Sequence, residues 1–221
     1  MSGRSAAIVG AGWVSRHCYV PAFQVAGISL RAVADTDLEA ARSLAELAGG
    51  NVCRTLEEML PGKPDLVVIA TPNRLHPAHA RQGLLGGGSV LCEKPLALTA
   101  REAADLVELG GERLFASTPY RFRDDVATLL DAVRGGAVGE VFRVSLSWTR
   151  ARGIPRPGSW YTRAETSGGG VLADLGPHLL DLGLLLVGDR DVHGVHAWTA
   201  GRCVHGERAA GWMGEDAAAR S

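Results

Sequence analysis

Apolar residues come in short runs separated by helix-like stretches through the first half of the chain. SAAIV at 5–9 reads as a buried strand, and GAGWVS at 10–15 as a turn opening an amphipathic helix towards residue 25. ISLRAVA at 28–34 is a second strand ending at Asp35. DLEAARSLAELAG follows as a helix, with Asp37 as N-cap and Gly49 as stop. PDLVVIATP at 64–72 is a third strand, 74–85 a helix and SVLCE at 89–93 a fourth strand. TAREAADLVELG is a helix capped by Thr99, and RLFAS at 113–117 a further short strand. Strands alternating with helices at this spacing predict a doubly wound parallel α/β sheet with helices on both faces.

After residue 120 the pattern changes. Residues 121–135 read as a helix. GEVFRVSLSWTR at 139–150 alternates, with Phe142, Val144, Leu146 and Trp148 on one side and Val141, Arg143, Ser145 and Ser147 on the other. That is a strand with one covered face, as in an antiparallel sheet. A Gly/Pro-rich loop, ARGIPRPGSW, precedes another helical stretch, and VHGVHAWTA at 192–200 is a further strand candidate. The expected division is a first domain over 1–119 and an α+β domain over 120–221.

The 221 residues, 46% of them hydrophobic, suffice for one large or two small domains. A net charge of −1 argues against an electrostatic nucleic-acid binder or a membrane-surface protein. The apolar stretches are short and interrupted, so no transmembrane segment is expected. The N-terminus enters a strand at once, so no signal peptide is expected either. Cys18, Cys53, Cys92 and Cys203 are scattered with no CxxC, as suits reduced thiols of a cytoplasmic protein. Of the 23 basic residues only Lys63 and Lys94 are lysines. Lys63 lies in a turn, PGKPD, whereas Lys94 directly follows a strand. A lysine can share or lose its proton and an arginine effectively cannot, so Lys94 is a candidate for chemistry.

Gly10 and Gly12 fit the first two positions of a GxGxxG turn, with Ser15 in the third. The turn follows a strand, opens a helix and has Asp35 about twenty residues on, the setting of a dinucleotide site. Trp13 and Val14 belong to the same turn. Asp35 would accept from ribose hydroxyls and repel a 2′-phosphate, favouring NAD over NADP, while Arg31 and Arg42 nearby keep NADP open. Thr71, Pro72, Asn73 and His76 lie in ATPNRLHPAHA, at the carboxyl end of a parallel strand where open α/β sheets bind ligands. Thr-Pro-Asn is also a good turn in its own right. Glu93 and Lys94, in CEKP, end the next strand on the same edge, and a cis Lys94–Pro95 bond would redirect the lysine. In GGGVLADLGPHLLDLG, Asp174 and His178 are four apart and share a helix face, with Asp181 nearby. The same spacing would also suit the wet side of an amphipathic helix. His193 and His196 would point to opposite faces of a strand, and with Cys203 and His205 they do not make a metal site.

VGAGWVS, ATPNRLH, VLCEKPLALTA, PYRF and GGGVLADLGPHLLDL, in this order, resemble the glucose–fructose oxidoreductase / inositol dehydrogenase / MocA (Gfo/Idh/MocA) family. The resemblance implies a Rossmann domain followed by an α/β domain with an open, mostly antiparallel sheet. It also implies NAD(P)-dependent hydride exchange with a ring carbon of a sugar, amino sugar or cyclitol. Lys94, Asp174 and His178 match the family's catalytic residues. Their implied roles are His178 as proton acceptor and donor, Asp174 as orienting charge and Lys94 as donor to the reacting oxygen. Tyr120, Arg121, Trp160 and Arg163 are the expected substrate contacts beside His178, and Asp181 a supporting residue. Ser15 in the glycine motif and Pro119 in PYRF depart from the family pattern. The family's later strands are not found beyond GEDAAA at 214–219. A sheet cut short there would leave an edge open to pairing, and a homo-oligomer is expected if it folds. The same shortness keeps open a non-catalytic cofactor-binding paralogue or partner subunit, and a family member using NAD transiently in glycoside cleavage remains a third reading.

Overall fold

The computed structural model describes residues 3–150, 153, 155, 158–188 and 191–198. The chain divides into two units. The first is Met1–Ser117 with Ala164–Gly168, and the second is Thr118–Arg163 with Gly169–Ser221.

The first unit is a six-stranded parallel sheet in the order β3-β2-β1-β4-β5-β6. The strands are β1 (Ser5–Val9), β2 (Ser29–Ala34), β3 (Asn51–Cys53), β4 (Leu66–Ile69), β5 (Ser89–Cys92) and β6 (Leu114–Ala116). Period-2 alternation sends successive side chains to opposite faces, and each face has its own core. Ala7, Val9, Val67, Ile69, Val90 and Cys92 pack on one face with Leu56, Met59, Leu84 and Leu106. Ala6, Ile8, Val33 and Val68 pack on the other with Tyr19, Val20, Phe23 and Leu44. The covering helices are α1 (Val20–Ala26) and α2 (Leu38–Ala48) on the second face, and α3 (Leu56–Met59), α4 (His76–Leu85) and α5 (Ala100–Gly110) on the first. Asp37 caps α2 by accepting from Glu39 N and Ala40 N, and Thr99 forms a capping box with Glu102 on α5.

β3 is an edge strand that the pattern does not predict. It is three residues long and only partly covered, too short for a periodicity to register. It forms because Asn51, Val52 and Cys53 find a ladder on β2. The strand order reverses between β1 and β4, so the loops after these strands, beginning at Gly10 and Ala70, diverge to open a crevice at the carboxyl edge.

The second unit contains α6 (Asp124–Arg134) and α8 (Gly170–Val187), while the short α7 (Ala164–Ser167) belongs to the first. The expected strand at 139–150 is not formed, and 191–198 is likewise irregular. Phe142, expected on a covered face, is 94% exposed. Alternation supplies a two-faced segment, but a strand exists only with a hydrogen-bonded neighbour, and among the described residues neither segment has one. The antiparallel sheet expected for this unit is therefore absent from the described residues. Residues 199–200 of the second strand candidate, Cys203, His205 and the GEDAAA stretch lie outside them.

Taken together, Ala164–Val187 makes 24 residues long and apolar enough to cross a membrane, by length and composition only. Glycines interrupt that stretch: Gly168, Gly169 and Gly170 have φ of 80°, 152° and 51° and separate α7 from α8. What remains is an 18-residue helix carrying Asp174, His178 and Asp181, charges that are costly in hydrocarbon.

Candidate active site

The candidate cofactor site is built on the carboxyl edge of the parallel sheet. Gly10 sits between β1 and the loop after β4: its N–H donates to Ala34 O at 2.8 Å, and Ala70 N donates to Val9 O. With φ of +101°, and a Cβ that would lie 2.3 Å from Ala70 O, no other residue fits there without backbone movement. At Gly12 a Cβ would meet nothing within 4 Å. The chain is helical over 13–26, with a π turn at Ser15–Tyr19. Its first N–H groups have no partner within the helix, so Gly12 faces open space beside an anion-binding helix start. Val14 packs against the core, so only its backbone is available to a ligand, whereas Trp13 is partly exposed and stacks on His17 at 4.6 Å. Ser15, in place of a third glycine, is fully buried and donates from Oγ to Gly10 O at 2.5 Å. The departure from the fingerprint thus closes the turn internally.

Asp35 braces the same turn. Its Oδ2 accepts from Ala11 N at 2.7 Å and its Oδ1 from Asp37 N at 2.8 Å. Each oxygen has two lone pairs, so capacity remains for ribose hydroxyls. This glycine turn, the open space at Gly12 and the acid at the end of β2 together fit a dinucleotide.

In the loop after β4, Asn73 is buried and donates from Nδ2 to Ser167 O at 2.8 Å, tying α7 to the first unit. Thr71 Oγ1 lies 3.2 Å from His79 Nδ1, and Pro72 is partly exposed. His76 was expected to line the nicotinamide side. It is instead 0% exposed, with Nδ1 2.7 Å from Pro95 O and Nε2 2.8 Å from Thr71 O. Both ring nitrogens are occupied by backbone, so any influence on a ligand passes through the two loops it joins. Burial pushes its pKa down, opposed by the two carbonyls and Glu93.

After β5, the Lys94–Pro95 bond is cis. Glu93 accepts from the Tyr19 hydroxyl at 2.6 Å, which also reaches Ser117 Oγ at 3.2 Å. Burial, reinforced by the Glu93 carboxylate, pushes the Tyr19 phenol well above its ordinary pKa. Tyr19 is therefore neutral and donates. No sequence signal singled it out, since its position in the first helix reads simply as core.

The second unit holds Asp174 and His178, the pair expected to be catalytic, on α8. His178, one turn after Asp174 on α8, is 9% exposed. Tyr120 meets its ring edge-on at 4.9 Å and Trp148 lies tilted at 6.0 Å, with Tyr120 and Trp148 themselves T-shaped at 5.2 Å. Arg150 lies over Trp148 at 5.1 Å and its Nη1 is 3.5 Å from Asp174 Oδ2. Trp148 and Arg150 were missed as site residues; their signal was the shared face of the 139–150 alternation, which was taken for sheet packing. Arg121, expected in the substrate cleft, pairs with Asp181, donating from Nε to Oδ2 at 2.7 Å and to Oδ1 at 2.9 Å. It fixes the turn at Pro119–Phe122 to α8. Trp160 stacks on Tyr161 at 3.6 Å, and Arg163 closes that turn through its N–H to Trp160 O. His193 and His196 are exposed in irregular chain.

Two family models match the chain: "Oxidoreductase family, NAD-binding Rossmann fold" over residues 4–113, and "GFO/IDH/MocA C-terminal domain" over residues 126–217. A putative UDP-kanosamine synthase oxidoreductase subunit of Amycolatopsis mediterranei is 37% identical over 186 residues, 83% of this chain and 51% of that protein. D-glucoside 3-dehydrogenase of Escherichia coli is 36% identical over 197 residues, 86% of this chain and 56% of its own length. The chain thus spans about half the length of the curated relatives it matches. Among solved structures, GenD2 from gentamicin A biosynthesis in complex with NAD superposes with a TM-score of 0.74 at 26% identity, covering 85% of this chain and 54% of that one. The WlbA dehydrogenase of Chromobacterium violaceum, in complex with NADH and UDP-GlcNAcA, gives 0.75 at 25% identity, covering 85% and 56%. With matches across both units, and a glycine turn, acid and strand order that fit a dinucleotide, the chain belongs to the Gfo/Idh/MocA oxidoreductase family and carries its NAD-binding Rossmann domain.

Proposed function

We propose that this chain carries the cofactor-binding and catalytic residues of an NAD-dependent dehydrogenase or ketoreductase acting on a ring carbon of a sugar, amino sugar or cyclitol. One observation supports this above the others. α8 bears a histidine set among aromatic rings, one turn from a carboxylate that an arginine accompanies. A merely wet helix face would leave His178 in solvent rather than 9% exposed. Relatives such as D-glucoside 3-dehydrogenase and glucose-6-phosphate 3-dehydrogenase support the sugar class.

Bound NAD would supply the hydride acceptor. The chain's own groups do the rest. His178 takes the proton from the substrate hydroxyl as the carbon is oxidised and returns it in the reverse direction; an imidazole is suited to both near neutral pH. Lys94 donates to the same oxygen and stabilises its developing negative charge. Asp174 orients the substrate and balances the charge on His178. Gly10, Gly12, Trp13 and Val14 offer the pyrophosphate close backbone approach. Asp35 takes the ribose and disfavours a 2′-phosphate. Thr71, Pro72, Asn73 and Glu93 shape the nicotinamide end, with His76 acting behind them. Tyr120, Trp160 and Arg163 bound the substrate, while Arg121 acts through Asp181.

The test is fluorescence titration of the purified chain with NADH and NADPH, its oligomeric state measured on the same sample, followed by a panel of glucosides, amino sugars and cyclitols monitored for NADH formation. NADH should bind more tightly than NADPH. His178→Ala should keep NADH affinity while losing turnover by about 10²- to 10⁴-fold, and Lys94→Ala should likewise lose turnover. An absence of NADH binding, or undiminished turnover in the His178 variant, would overturn the proposal.

A further inference from the structure

Lys94 stands in the loop after β5, and a single carboxyl ties its backbone to the first helix. Tyr19 is the last residue of the π turn that follows the glycine turn, where Val20 N donates to Ser15 O. Such turns inside helices are rare and recur at functional sites. Tyr19 is buried, and its hydroxyl lies 2.6 Å from Glu93 Oε1 and 3.2 Å from Ser117 Oγ. A phenol has one proton to give. The shorter contact takes it, so Ser117 donates to the Tyr19 oxygen in turn. The other oxygen of the same carboxyl, Glu93 Oε2, accepts from Lys94 N at 3.3 Å. Backbone bonds complete the frame: Glu93 N donates to Ile69 O at 2.9 Å, and Ser117 N to Cys92 O at 2.8 Å. All of these residues belong to the first unit.

We propose that Tyr19 is a positioning residue for Lys94 that acts through Glu93: the phenol holds one carboxyl oxygen and so fixes the other against the Lys94 backbone. Phenylalanine would fill the same place in the core, where the Tyr19 ring lies 6.5 Å from that of Phe23. The hydroxyl therefore adds direction rather than packing. Satisfied chains of polar groups in a part-buried setting stiffen the structure around them. Without the hydroxyl, the Glu93 carboxyl is free to turn about its own side-chain bonds. The contact to Lys94 N, already long, is then the first to be lost. The helix that carries Tyr19 also opens at the glycine turn, so one element supports both Lys94 and the backbone that would meet a pyrophosphate. The tie stands on the geometry of the first unit alone; its importance for turnover rests on the role proposed for Lys94.

Lys63 and Lys94 are the two lysines of the chain, so reductive ¹³C-methylation reads Lys94 on the full chain without any substrate. The Lys94 methyl signal should move in Tyr19→Phe while that of Lys63 stays in place. In a Glu93→Ala background, the same Phe substitution should leave Lys94 where Glu93→Ala alone puts it, because the link is already cut. A change in core packing would instead move it equally in both backgrounds. A Lys94 signal unmoved by Tyr19→Phe, or moved as far without Glu93 as with it, would overturn the proposal. If Tyr19→Phe does not fold, the wild-type chain decides. With tyrosine ¹³C-labelled at the hydroxyl-bearing ring carbon, an equal mixture of H₂O and D₂O should split the Tyr19 signal into protonated and deuterated forms, because a buried hydroxyl bonded to Glu93 exchanges slowly. A single averaged Tyr19 line would sink the idea. Turnover of the folded Phe variant should fall roughly ten- to a hundredfold, a misplacement of about 1 Å costing about the latter. A Lys94 that follows Tyr19 in a chain with no dehydrogenase activity would remove the functional proposal and leave this one standing. An active enzyme whose Lys94 ignores Tyr19 would do the reverse.

Discussion

Restoring the family glycine at position 15 should harm this protein. Ser15 is fully buried and its hydroxyl donates to Gly10 O, closing the turn that the dinucleotide would meet. Ser15→Ala removes that bond, a net loss of about 1 kcal/mol for a typical buried pair. Ser15→Gly loses the same bond and adds about 1 kcal/mol for a glycine in a helical position. The expected order is wild type, then alanine, then glycine, with the glycine variant about 2 kcal/mol below wild type. For a chain of this size that is a fall in Tm of about 4–8 °C, half of it already present in the alanine variant. Urea unfolding followed by far-UV circular dichroism measures the stability, and NADH titration reports whether the loosened turn also costs affinity. A Ser15→Gly variant as stable as wild type, binding NADH as tightly or more so, would refute the reasoning. It would mean that the close helix–strand approach permitted by glycine outweighs the buried hydroxyl.

Two further predictions concern how the sheet and its loops are tied together. Asp65 accepts from both Ser5 N at 2.7 Å and Ser5 Oγ at 2.8 Å, and those two bonds hold its pKa below the usual carboxylate value. A folded-state pKa below the unfolded one contributes stability above the unfolded pKa and loses it as pH falls through the folded value. Acid unfolding of wild type should therefore steepen below about pH 4, and Asp65→Asn should be less stable at neutral pH but flatter in that range; parallel curves would contradict this. Asn73→Ala should lose the bond to Ser167 O, costing about 1–2 kcal/mol locally, and hydrogen exchange should speed up in α7 while β1 and β4 stay protected. Unchanged exchange in α7 would show that the side-chain tie is dispensable.

Much of the first unit was legible in the sequence. Strands β1, β2, β4 and β5 announce themselves as apolar runs because both of their faces are buried, and Asp37 and Thr99 mark helix starts because a side-chain oxygen must satisfy the orphan N–H groups there. Gly10 was legible as well, and the structure supplies the reason: no side chain fits between it and Ala70 O. The order of the strands, and with it the crevice between β1 and β4, depends on pairings between distant segments that periodicity does not encode. β3 exists only as a partner of β2, and the alternation at 139–150 made no strand among the described residues because alternation carries no information about a neighbour. For the site, spacing placed Asp174 and His178 on one helix face, since that relation is local. What local spacing could not decide is which polar groups meet. Arg121 spends its guanidinium on Asp181, Trp148 and Tyr120 gather around His178, and His76 is spent on two carbonyls rather than exposed to a ligand. Those pairings join residues as much as sixty positions apart, or loops on different strands, and only packing of the whole chain brings such groups within hydrogen-bonding distance.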